Sequence, residues 1–181
     1  IFSTYASDSE LSRFNRHPVG QDFVVSPEMV EVLQLAQQIA VLTDGAFDVT
    51  VGPLVNLWGF GPDVARVPER IPSEAELAAA GTRVGHDFLE IDTNGSTIRK
   101  SRDIEVDLSA IAKGYAVDKL GEYFDSLGIQ AYFLEIGGEL KMKGFKPGGD
   151  SWIPAIEAPE ASQSRIYEIF FSRGDTLAVA G

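Results

Sequence analysis

With 181 residues, 44% of them hydrophobic and 23% charged, the chain is long enough for one globular domain, 1–181, with a substantial core. A formal net charge of −12 argues against nucleic acid as a partner, since a phosphate backbone calls for clustered Lys and Arg. Zero cysteines and only two histidines, His17 and His86, exclude disulfides, thiolate catalysis and Cys-based or multi-histidine metal sites, which leaves carboxylates, hydroxyls, lysine, backbone groups and a hard metal held by oxygen.

In chain order, residues 3–16 read as a polar loop followed by a helical turn or two carrying Leu11 and Phe14, with Ser7, Asp8 and Ser9 as capping residues. A short strand over 23–25 leads to Ser26 and Pro27, an N-cap and first helical residue. The helix over 27–43 that they open has Val30, Leu33, Leu35, Ala36 and Ile39 on or near one face and stops near Asp44-Gly45. The stretch 46–58 mixes apolar residues with Gly52 and Pro53, too broken for one element, and an irregular apolar segment of that kind suits the lining of a pocket. Residues 59–72, with Gly59, Gly61, Pro62 and Pro68, read as a surface excursion. Ser73 and Glu76 form a capping box for an alanine-rich helix ending at Gly81, and Asn94-Gly95 predicts a hairpin joining strands over 88–91 and 97–99.

Ile104, Val106 and Leu108 alternate with Glu105 and Asp107 in the period of a strand, and a helix over 109–127 follows, stopped by Gly128. Further strands are expected over 132–136, 140–142, 152–156, 166–171 and 177–180, with the pair Gly137-Gly138 between the first two and a turn at Pro147-Gly148-Gly149. No internal repeat is present, and no segment approaches the roughly 18 consecutive apolar residues that span a bilayer.

The run 107–118 carries the most chemistry, because it takes an acid-bearing strand into a helix whose first residues, 109–114, have little side-chain bulk apart from Ile111 and Lys113. A diphosphate could approach backbone N–H groups and the positive dipole end there, with Lys113 adding a charge-assisted contact. The same spacing equally suits close helix packing with a solvated lysine.

Four segments in order decide between those readings. The N-terminal Ser3-Thr4-Tyr5 with residues 9–15, the long run 45–61, the run 107–118 and the pair Gly137-Gly138 together resemble the FAD:protein FMN transferase, or ApbE, family. The resemblance implies an α+β fold, T-fold-related and two-part, with antiparallel strands and packed helices. It implies Mg²⁺-dependent transfer of FMN from FAD to a Thr or Ser hydroxyl of a target protein, with AMP released. The alternative is a protein that binds or hydrolyses FAD without transferring it.

Carried over residue by residue, the resemblance makes Tyr5 an aromatic flavin or adenine contact. Ala46, Phe47 and Asp48 become an FAD-contacting triplet in which backbone and carboxylate read ring edges and hydroxyls, although Phe47 also suits a plain core position. Asp107 becomes an acid contacting FAD, Ala110 the residue whose backbone carbonyl ligates Mg²⁺, and Lys113 a phosphate contact; Asp107 and Lys113 are the catalytic candidates. Gly137 and Gly138 would let backbone approach the ligand, or form a bulge between two strands.

Glu135 and Glu139 stand where the family carries an amide or aspartate. The family's remaining metal ligands, its export signal and its lipid-anchoring cysteine have no counterpart in 1–181, so a partial chain is expected. The family further implies a periplasmic location with an inner-membrane lipid anchor. Its implied acceptor is a membrane-bound redox subunit, with the membrane reached only through that anchor.

Overall fold

Three serines set three helices, and in each the physical reason is the same: a hydroxyl outside the helix accepts from an N–H that would otherwise lack a partner. In the computed structural model, which describes residues 1–62, 71–158, 166–171 and 177–179, Ser9 caps α1 (Glu10–Asn15) and Ser26 caps α2 (Pro27–Leu42). Ser73 closes the expected capping box with Glu76 at the start of α4 (Glu74–Gly81).

The chain divides into two compact units, Ile1–Ala112 and Lys113–Gly181. In the first, β1 (Phe23–Val24), β3 (Thr97–Lys100) and β2 (Leu89–Asp92) form an antiparallel sheet in that order. The Asn94-Gly95 hairpin is present as expected. Leu11, Phe14, Met29, Leu33 and Ile98 are fully buried between these elements, and the Gln37 side chain of α2 donates to the Leu89 carbonyl at 2.6 Å.

Two segments of this unit depart from the sequence reading. The stretch 46–58 contains a regular helix, α3 (Gly52–Leu57). It is hard to see in sequence because Val51 offers no side-chain cap and Gly52 and Pro53 open it. The alternation at 104–108 is real, with Ile104, Val106 and Leu108 buried, but among the described residues the segment joins no sheet. A single parallel bridge links Val51 and Glu105.

The backbone of this extended segment is satisfied piecemeal, as buried polar groups must be. The Gly52 N–H donates to the Glu105 carbonyl at 3.1 Å, and the Asp107 N–H to the Val49 carbonyl at 2.7 Å. The Asn15 carboxamide imitates a strand edge: Nδ2 donates to the Val106 carbonyl at 2.8 Å and Oδ1 accepts from the Val106 N–H at 2.9 Å. Glycine is required at 52 because a Cβ there would stand 2.6 Å from the Glu105 oxygen. Behind Asn15, buried Lys100 donates to its backbone carbonyl at 2.6 Å, and burial holds the Lys100 pKa below its ordinary value.

In the second unit, α5 (Ala112–Ser126) begins three residues later than the expected residue 109, because 109–111 form a turn. The antiparallel sheet runs β4 (Tyr132–Ile136), β5 (Glu139–Lys143), β8 (Leu177–Val179), and β6 (Ala155–Glu157) pairs with β7 (Ile166–Ile169). Val117, Tyr132 and Leu134 form its core, joined by Leu120, Phe124, Ile129 and Ile136. Lys141 with Asp118 at 2.7 Å and Lys143 with Asp125 at 2.9 Å tie β5 to α5. The expected surface excursion at 59–72 lies largely outside the described residues.

Asn15→Ala would leave the N–H and carbonyl of fully buried Val106 without partners. Urea denaturation should show a stability loss of about 2 kcal/mol or more, and a loss below about 0.5 kcal/mol, the range of a neutral surface change, would contradict the clamp.

Candidate functional site

α2 ends in a left-handed turn, with Asp44 at φ 52° and Gly45 at φ 77° and the Gly45 N–H bonded back to the Ala40 carbonyl at 2.8 Å. That turn sends residues 45–48 along the edge of a cavity of about 640 Å³. α3 supplies Leu54 and Val55 to its wall, and the extended 104–108 segment delivers Asp107, Ser109 and Ala110. Tyr5 and Phe60 stand at the rim, coupled by a hydrogen bond from the Tyr5 hydroxyl to the Phe60 carbonyl at 2.7 Å. The Tyr5 side chain is 69% exposed, so its ring face is open for stacking.

Six of the residues singled out in the sequence, Tyr5, Ala46, Phe47, Asp48, Asp107 and Ala110, therefore line one cavity in the first unit. Phe47 is half-buried against it. Phe47, Val49, Val51, Leu54 and Val55 make the walls apolar, a surface suited to a planar ring system with a few fixed polar groups.

The two acids are held differently. Asp107 accepts the Ser109 N–H on Oδ1 at 2.8 Å, an Asx-type turn that fixes the carboxylate and leaves Oδ2 without a partner among the described residues. Asp48 is held by the chain on both oxygens: Oδ1 accepts from the Thr50 N–H at 2.8 Å and the Thr50 hydroxyl at 2.7 Å, and Oδ2 accepts from the His86 N–H at 2.8 Å. Val84, also a wall residue, escaped sequence reading because a lone valine between a helix and a strand carries no pattern.

Lys113, Gly137 and Gly138 belong to the second unit. The glycines are neither bulge nor gap: Ile136 and Glu139 pair directly, and the two residues between them, at φ 60° and 97°, make a two-residue hairpin turn. Lys113 lies across that turn, donating to the Gly137 carbonyl at 3.0 Å and pairing with the Glu139 carboxylate at 2.7 Å. A Cβ on Gly137 would stand 2.9 Å from Lys113 Cδ. The glycine thus makes room for the lysine.

Fold and cavity together define an α+β protein with an apolar, aromatic-rimmed ligand cavity floored by an acid-bearing turn. The chain belongs to the ApbE family, whose model matches residues 1–181. It is 44% identical over 180 residues to an FAD:protein FMN transferase of Vibrio cholerae, covering 99% of this chain and 53% of that protein. A Haemophilus influenzae protein of the same name is 44% identical over 170 residues, 92% of this chain and 49% of its own length. The solved flavin transferase ApbE of Vibrio cholerae superposes with a TM-score of 0.82 at 47% identity, over 93% of this chain and 53% of that one. The chain spans about half the length of the curated relatives it matches.

Gly137→Ala would combine left-handed backbone strain with a collision against Lys113. Thermal unfolding should report a loss of about 1–2 kcal/mol, and wild-type stability with Lys113 unmoved in a crystal structure of the variant would contradict the packing described.

Proposed function

We propose that this protein transfers FMN from FAD to a Thr or Ser hydroxyl of an acceptor protein, releasing AMP, and that the cavity of the first unit receives a ring system of FAD. The observation that carries this reading is the convergence of Tyr5, Ala46, Phe47, Asp48, Asp107 and Ala110 on one apolar cavity. Relatives sharing the whole of this chain bear the name of that activity.

In balance, the acceptor oxygen bonds to the FMN phosphorus, the bond from that phosphorus to the AMP oxygen breaks, and the hydroxyl proton is given up. Asp107, with one oxygen fixed and the other without a partner among the described residues, is the group suited to orient the hydroxyl and accept its proton. Lys113 is proposed as a diphosphate contact on the strength of the resemblance. The Ala110 carbonyl is proposed as one ligand of Mg²⁺ on the strength of the resemblance, a hard oxygen of the kind that ion takes. When bound it would supply charge neutralisation of the diphosphate. A periplasmic location, with the protein held at the inner membrane by a lipid and acting on a membrane-bound redox subunit, is proposed from the same resemblance.

The test incubates the whole protein with FAD, Mg²⁺ and a candidate acceptor domain and follows the acceptor's mass. A covalent FMN increment, abolished by EDTA and reduced about a hundredfold or more in rate by Asp107→Ala, is the expected result. Free FMN and AMP without an increment would replace transfer by hydrolysis, and intact bound FAD with no turnover on any acceptor would reduce the protein to a flavin binder.

A further inference from the structure

Residues 82–88, between α4 and β2, contribute one wall residue, Val84, to the cavity, and two polar side chains of the run after α2, Asp48 and Thr50, hold them in place. Thr50 is completely buried. Its hydroxyl accepts from the Gly85 N–H at 2.7 Å and donates to Asp48 Oδ1 at 2.7 Å. The other oxygen of the same carboxylate accepts from the His86 N–H at 2.8 Å. Two successive backbone amides are thus fixed by one hydroxyl–carboxylate pair, immediately after the residue that faces the cavity.

We infer that Val84 is a specificity-determining wall residue of the ring cavity, and that Thr50 is the positioning residue that sets it through an Asp48–Thr50 latch on the Gly85 and His86 amides. This rests on the proposal that a ring system of FAD enters the cavity.

The reasoning follows from what each group can do. Both oxygens of Asp48 accept from the chain, and through the His86 N–H and the Thr50 hydroxyl Asp48 holds the loop that carries Val84. A valine at 50 would match the shape of threonine yet remove both hydrogen bonds, leaving the Gly85 N–H unpaired and Asp48 a donor short. The apolar side chains of residues 47–55 lie on one stretch of chain, whereas Val84 arrives from another. Its distance from that stretch fixes the width open to a planar ring, and the latch fixes the distance.

The experiment measures amide hydrogen exchange and FAD binding on the whole protein and three variants. Thr50→Val should speed exchange at Gly85 and His86 and raise the Kd for FAD, each by about tenfold for the loss of buried hydrogen bonds. Thr50→Ser, which keeps the hydroxyl, should recover most of both. Val84→Ala should raise the Kd without speeding exchange. Slow exchange persisting in Thr50→Val would overturn the latch. A wild-type Kd in Val84→Ala would overturn the wall assignment, even if Thr50→Val failed to fold. If the wild-type protein bound no FAD, the flavin reading would fall and Val84's role with it, while the exchange rates would still decide the latch.

Discussion

An extended strand-like segment that joins no sheet among the described residues governs the first unit. Residues 104–108 bury Ile104, Val106 and Leu108, and burying backbone without a ladder obliges the surroundings to supply every partner. Val49, Gly52 and the Asn15 carboxamide supply partners for Glu105, Val106 and Asp107, from two separate parts of the chain. Because the bonds are specific to single residues, the segment has one position, and Asp107 at its end enters the cavity with the same precision. The absence of a Cβ on Gly52 and the buried ammonium of Lys100 behind Asn15 are consequences of that constraint.

The cavity is built economically from what such a segment leaves open. Its apolar surface comes from the irregular run after α2 and from α3, its acid from the clamped segment, and its open aromatic face from Tyr5. Lys113 is held in an ion pair with Glu139 across a glycine turn, an arrangement that fixes where the ammonium stands while offsetting its charge, and a partly exposed pair of this kind is of modest strength. Glu139, which departs from the amide or aspartate expected of the family, serves here as the lysine's counterion.

Much of this was legible in sequence where the signal is local. Serine caps, the Asn-Gly hairpin and the spacing of α2 state their structures within a few residues. The α+β class came with the family resemblance that the motif runs carry, and those runs gathered six of the residues that line the cavity. What was not legible depends on distant partners. The 104–108 alternation is the pattern of a strand and gives no sign that its neighbours are the Asn15 side chain, Val49 and the first residue of α3. α3 lacks a cap and begins with Gly52-Pro53, so nothing local announces it. The steric need for glycine at 137 comes from Lys113, 24 residues earlier, which no local pattern announces. Val84 and its latch to Asp48 and Thr50 join positions more than 30 residues apart, beyond the reach of any periodicity.

A crystal structure of the whole protein soaked with FAD would test the central claim most directly, namely that the clamped segment and the run 45–55 form the seat of the ligand's ring. The account predicts ring density between Tyr5 and Phe47 with Asp107 beside it and the 104–108 backbone unmoved. Ring density elsewhere, or a cavity that opens only by breaking the bonds from Asn15 to Val106, would contradict it.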